Sequence, residues 1–210
     1  MLASPGPLQV LVLLLGTTAL FAEPTKADEA PRAIPQAPLA PVIDGVADDP
    51  AWGLAEWREM DQLWLGSAPT PEDFSGRYKL VWTPEGLWLL AEITDDILMD
   101  SHPNPLERYW EDDALEIFLD EDASGGQHQY DHNAFAQHIA LDNQSVDFAP
   151  TATGGAPALF PDMIRSIWRR ELNAPHIVTW EVAITVFGDD YHQDPERPPP
   201  MPRTLSAGKR

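Results

Sequence analysis

The chain contains no cysteine. That rules out disulfide staples, thiolate nucleophiles and cysteine-ligated metals. It is poor in positive charge: 13 Lys and Arg stand against 34 Asp and Glu, for a formal net charge of −21. A surface of that sign repels phosphate backbones and sets nucleic acid aside as a partner. Helical periodicity is scarce, no internal repeat occurs, and no loop carries EF-hand spacing. No apolar run reaches the ~20 residues of a membrane-spanning helix. The longest, "LQVLVLLLGTTALFA" at 8–22, ends in small residues and has the proportions of a secretory leader cleaved after Ala22. The expectation is therefore an exported protein, periplasmic, cell-surface or extracellular, with no integral membrane segment once 1–22 is removed.

What the chain does have is tryptophan, 8 in 210 residues, and 22 prolines. Residues 23–40, "EPTKADEAPRAIPQAPLA", lack periodicity and read as a Pro/Ala-rich linker, so the folded domain is expected over 41–210. In "DDPAWGLAEW" (48–57) one helical turn is predicted, with Asp49 as cap and Pro50 at its first position. "GRYKLVWT" and "LWLLAEIT" flank the turn "PEG" as a hairpin, with Leu87, Leu89, Ala91 and Ile93 on one face. "DALEIFLD" (113–120) places Leu115, Ile117 and Leu119 on one side. "NAFAQHIALD" (133–142), "IRSIWRREL" (164–172) and "IVTWEVAITV" (177–186) add further strands. Short strands joined by turn-rich segments predict an all-β fold, an antiparallel β-sandwich of jelly-roll type. The Pro-rich tail after Asp194 reads as a loop returning toward a further strand, so the sandwich is expected to be incomplete at its C-terminal end.

The stretch "YWEDDALEIFLDED" (109–122) concentrates the chemistry. Glu111, Asp112, Asp113 and Glu116 could supply the carboxylate pair of a glycosidase. In a chain this acidic, chance proximity explains them as well, and solvated loop charge is the stronger reading. The acidic loops "TDD" (94–96), "EDD" (111–113) and "DEDASGG" (120–126) offer hard oxygen ligands to calcium, or are simply acidic loops. His132 and His138 share strand parity but lie about 20 Å apart at ~3.3 Å per residue, too far to share an ion, so ordinary strand-surface or hydrogen-bonded histidines are the reading. Trp110 stands apart from the tryptophans of apolar runs, Trp82, Trp88 and Trp180. Its neighbours are Tyr109 and three acids. Its ring either stacks on the C–H face of a sugar while carboxylates accept hydroxyls, or folds back onto the sandwich.

"PVIDGVADDPAW" (41–52), "YKLVWTPEGLWLLAEITDD" (78–96), "WEDDALEIFLDED" (110–122) and "TWEVAITV" (179–186) occur in that order. Together they resemble the family 9 carbohydrate-binding module, a DOMON-like β-sandwich. The resemblance implies a non-catalytic module that binds plant polysaccharide, oligosaccharide or sugar ends, often attached to a glycoside hydrolase. In that family one of two sandwiching tryptophans stands in a W-x-x-D-x-x-E stretch, matched here by Trp110, Asp113 and Glu116. On the strand 133–142 the family's arginine position falls on Gln137. The resemblance thus implies Trp110 as stacking ring and Asp113, Glu116 and Gln137 as ligand-binding partners, with calcium as a structural ion. Two other readings stay open: a DOMON-like interaction or tethering domain without a sugar site, and a haem-binding electron-transfer domain.

Overall fold

Alternating strands with one apolar face are stable only when two such faces meet. The computed structural model has that architecture, and describes residues 9–13, 32–63, 66–124, 134–151 and 154–208. Strands β1 (Gln9–Leu13), β5 (Ala114–Asp120), β6 (Ala134–Ala140), β7 (Ser145–Thr151) and β8 (Gly154–Leu159) form one sheet in the order β1-β5-β6-β7-β8. Strands β2 (Arg58–Glu59), β3 (Phe74–Thr83), β4 (Gly86–Asp95), β9 (Ile164–Arg170) and β10 (Ile177–Ile184) form the other, ordered β2-β3-β4-β10-β9. The pairings given for these strands are antiparallel. Among the described residues no helix is long and apolar enough to cross a membrane.

The expected alternation is present. Leu87, Leu89, Ala91 and Ile93 of β4 meet Leu115, Ile117 and Leu119 of β5, joined by Phe135, Ile139, Val178, Trp180 and Val182. The β3–β4 hairpin closes more tightly than predicted: Thr83 pairs with Gly86, which is already a strand residue. A side chain at Gly86 would begin 2.5 Å from the Ile184 carbonyl oxygen, so close approach of β10 requires glycine there.

Three expectations are corrected. The linker does not extend to residue 40. Trp82 exchanges backbone hydrogen bonds with Pro35 and Ala37, its indole donates to the Ile34 carbonyl, and Ala37 is buried, so 34–37 belong to the sandwich. Asp49 does not cap the 3-10 turn Pro50–Leu54; its carboxylate reaches back to the Val42 N–H instead. β7 and β8 were not predicted, because Pro150, Gly155 and Pro157 break their alternation. Pro157 is tolerated on the edge strand β8. Pro150 lies past the point where β7 pairs with β6, since that ladder holds only His138–Val146 and Ile139–Ser145.

The four family-like stretches now have structural reasons. Glu181, fully buried on the outer face of β10, accepts the N–H groups of Asp44 and Gly45 at 2.9 Å and the Trp52 indole N–H at 2.9 Å. Residues 37–57 are thereby clasped over this sheet, where Ala51, Trp52 and Ala55 bury Val81 and Leu90. Gly45 has φ +80, and Arg169 lies where a side chain would start. The predicted leader lies mostly outside the described residues; within it, Gln9–Leu13 pairs with β5 as an edge strand. The proline-rich tail folds back, its buried Leu205 donating its N–H to Pro84.

Candidate functional site

The outer face of the β5–β6–β7 sheet carries a buried glutamate of its own, Glu116. Strand register places Glu116, His138 and Val146 in one cross-strand row. Glu116 is 7% exposed and its Oε1 lies 2.9 Å from Nδ1 of His138. Its Oε2 is buried with no hydrogen-bond partner among the described residues. A lone carboxylate oxygen held out of water is costly, on the order of 1–3 kcal/mol or more.

Above this row sits the 3-10 turn Tyr109–Glu111, opened by Arg108 in the left-handed region at φ 52. Tyr109 packs edge-on over His138 at 4.9 Å and against Phe148 at 6.3 Å between ring centroids. Trp110 packs at 80° against Tyr109, with centroids 5.1 Å apart. Trp110 is 46% exposed, in contrast to Trp180 at 3%. The structure therefore links Trp110 and Glu116 through Tyr109 and His138, with the half-exposed indole at one end of the chain of contacts and the buried carboxylate at the other.

Asp113 is half-occupied otherwise. Its Oδ2 accepts the Met99 N–H at 2.6 Å, and its own N–H bonds to the Met99 carbonyl. Burial pushes its carboxyl above the usual range. Asp112 takes the N–H groups of Ser101 and His102 at 2.7 Å each. Burial there acts to raise the carboxyl, but these two donors and the His102 ring hold it below the usual range. The two acids tie the 99–102 segment to the base of the tryptophan turn. A crevice of about 20 Å³, room for one water, lies between them, Tyr109 and His138.

Gln137, expected to offer its amide to a ligand, is on the wrong face. It is fully buried with Phe135 and Ile139 on the core side of β6. Its amide approaches Met163 Sδ at 3.5 Å and its carbonyl accepts the Ser145 hydroxyl. One step along the strand, His138 occupies the site face. Asp147 is the other residue that sequence reasoning missed. It accepts the Ala136 and Phe148 N–H groups at 3.0 and 2.7 Å. Burial, with a smaller contribution from the Glu116 charge, pushes its carboxyl up to about 7. Burial, with the Asp147 and Glu116 carboxylates, also raises the Tyr109 phenol.

Residues 43–193 match the family described as carbohydrate family 9 binding domain-like. The chain belongs to that family. The matched span runs from the segment clasped by Glu181 through the Trp110 turn and on past β10. Over 127 residues this family 9 domain is 30% identical to endo-1,4-beta-xylanase A of Thermotoga neapolitana, and 29% identical to that of Thermotoga maritima. Each alignment covers 60% of this chain and 11% of the xylanase, so the chain spans about a tenth of the length of these curated relatives. Exoglucanase XynX of Acetivibrio thermocellus is 33% identical over 81 residues, 39% of this chain and 7% of that protein. Among solved structures, a family 9 carbohydrate binding module from Caldicellulosiruptor kristjanssonii, determined with glucose and with cellotriose, gives a TM-score of 0.48 at 22% identity. It covers 72% of this chain and 67% of that one.

Among the described residues no group of three or more His, Asp or Glu is placed to hold a metal ion. The loop acids are instead taken up by backbone N–H groups, Asp95 by Ile97 and Asp122 by Ser124 as well as the two above. His128 and His132, and the end of the "DEDASGG" loop, lie outside the described residues.

Proposed function

We propose that this domain binds neutral carbohydrate at the Trp110–Glu116 face and performs no reaction itself. The observation that carries the reading is the buried, unpartnered Oε2 of Glu116, joined through His138 and Tyr109 to the exposed Trp110. A pyranose laid on Trp110 presents an apolar C–H face to the ring and hydroxyls at its rim. One hydroxyl donated to Glu116 Oε2 would satisfy the orphan oxygen, and a bond to an ionised acceptor is about twice as strong as a neutral one. His138 then acts as positioning residue, holding the carboxylate by its other oxygen. Membership of the family 9 binding domains supports the same reading.

The relatives supply the ligand class: two are named as xylanases and one as an exoglucanase. We take xylo- and cello-oligosaccharides as the probes, and export as the setting, from the apolar run at 8–22. The test is calorimetric titration of the full chain with both oligosaccharide series, repeated for Glu116→Gln. The amide removes the charge but keeps the shape, so affinity should fall about tenfold, near ~1.4 kcal/mol, with an unchanged melting temperature. Equal affinity of the two proteins would remove Glu116 from the site.

A further inference from the structure

The outer face of the β3–β4–β10–β9 sheet is not covered throughout. The clasped segment 37–57 closes over Leu90 and Glu181, which lie in one cross-strand row with Ile167. Two residues along the strands the next outward row is Trp88 on β4, Ala183 on β10 and Arg165 on β9. The small Ala183 makes a floor, and the two flanking strands set Trp88 and Arg165 roughly 10 Å apart at ~4.8 Å per strand. The cavity there has a volume of about 330 Å³, with Glu85, Asp162 and Thr185 on its rim. That is the lower end of the ~300–1,000 Å³ range of small-ligand sites.

The side chains are placed for a ligand with an apolar face and hydroxyl edges. Trp88 is partly buried, packed against the cluster under the clasped segment, and its indole N–H is taken by the Thr83 hydroxyl at 3.1 Å, which fixes the ring. The Arg165 guanidinium makes no hydrogen bond or ion pair with any described residue and remains a free fork of donors. Two carboxylates on the same rim disfavour an anion, as does the net charge of −21. A neutral polyol uses both signs, taking bonds from Arg165 and giving them to Asp162 and Glu85.

We propose that the Trp88–Ala183–Arg165 groove is a second carbohydrate subsite, on the sheet opposite the Trp110 face, that takes one neutral pyranose unit of a glycan chain. The choice of ligand class rests on the function proposed above; the groove itself does not. Two subsites on opposite faces would let one domain touch two chains of a polysaccharide.

The experiment uses the full chain carrying Trp110→Ala, titrated with cellohexaose and with xylohexaose, and follows the Trp88 indole N–H resonance. That resonance is expected to shift saturably. Arg165→Ala, an exposed position that leaves the core untouched, should weaken the response at least tenfold, and Ala183→Leu, which fills the floor, should abolish it. A Trp88 resonance that does not move with either sugar overturns the subsite. So does a shift that survives both substitutions in proteins of unchanged melting temperature. Failure of the first site reads differently: Trp110→Ala then binds as tightly as the unaltered chain, whatever Trp88 reports.

Discussion

Two glutamates lie buried on the outer faces of the two sheets, and they differ in one respect. Glu181 has every oxygen engaged: two backbone N–H groups on one and the Trp52 indole on the other. Glu116 has one oxygen on His138 and one on nothing. Burial alone therefore does not distinguish a structural acid from a binding one. Saturation does. A carboxylate whose acceptors are all filled locks chain to chain. In the site proposed above, the half-filled one leaves an acceptor for a ligand hydroxyl.

The sharpest break of that comparison is Glu181→Ala. It strands three donors and should cost about 3–5 kcal/mol of unfolding free energy, read by urea denaturation; a loss below ~1 kcal/mol would mean the clasp over residues 44–52 is not structural. Trp110→Ala should do the opposite. The lost stacking face, roughly 100 Å² at ~25 cal/mol/Å², amounts to about 2.5 kcal/mol, a 50–100-fold drop in affinity at ~1.4 kcal/mol per decade. Stability should hardly change, so unfolding without a binding defect would make Trp110 a packing residue.

Asp147 sharpens the comparison through pH. Its folded carboxyl keeps its proton up to about 7, against about 4 for a free aspartate. The folded state thus binds the extra proton between those values. The stability this lends is full below pH 4 and is lost as pH rises through 7. The unaltered chain should lose on the order of 4 kcal/mol across that window, about three pH units at ~1.36 kcal/mol each, and Asp147→Asn should flatten the curve. A slope of the other sign, or one that survives the substitution, would move the titrating group elsewhere. The smallest effect is reserved for chelation. Because four of the described loop acids already accept a backbone N–H, melting in calcium and in chelator should differ by less than about 2 °C, no more than about 1 kcal/mol for a domain this size. A larger shift would show that calcium binds the folded chain.

Much of the sandwich was legible because strict alternation has one physical reading. Leu115, Ile117 and Leu119 can face a core only as a strand. The same rule, carried one strand further, would have excluded Gln137: it shares parity with Phe135 and Ile139, and a residue in that register faces inward whatever its polarity. His138, on the side of Ala136 and Ala140, was the available signal for the site. Glu181 carried one too, as a lone charge inside "TWEVAITV", since such a charge survives only with donors brought to it. Asp147 and Tyr109 had none. Their role depends on β7, a strand hidden by its prolines, and on a turn whose packing over His138 is tertiary. The polar neighbours of Trp110 set it apart from the core tryptophans, and it is indeed exposed, yet its link to Glu116 through two intervening rings was not readable from spacing.

The grip of Asp112 and Asp113 on residues 99–102 has a consequence for the thermodynamics of capture. Both ends of the tryptophan turn are tethered before any ligand arrives: one through these carboxylates and the other through the rings of Tyr109 and His138. An indole on a free loop would surrender backbone and rotamer freedom on binding, at about 0.5–1.5 kcal/mol for each side chain immobilised. Here that ordering is completed during folding. The enthalpy of stacking is left to appear almost whole in the affinity, and the platform should meet its ligand as a rigid surface, with little change in its own motion.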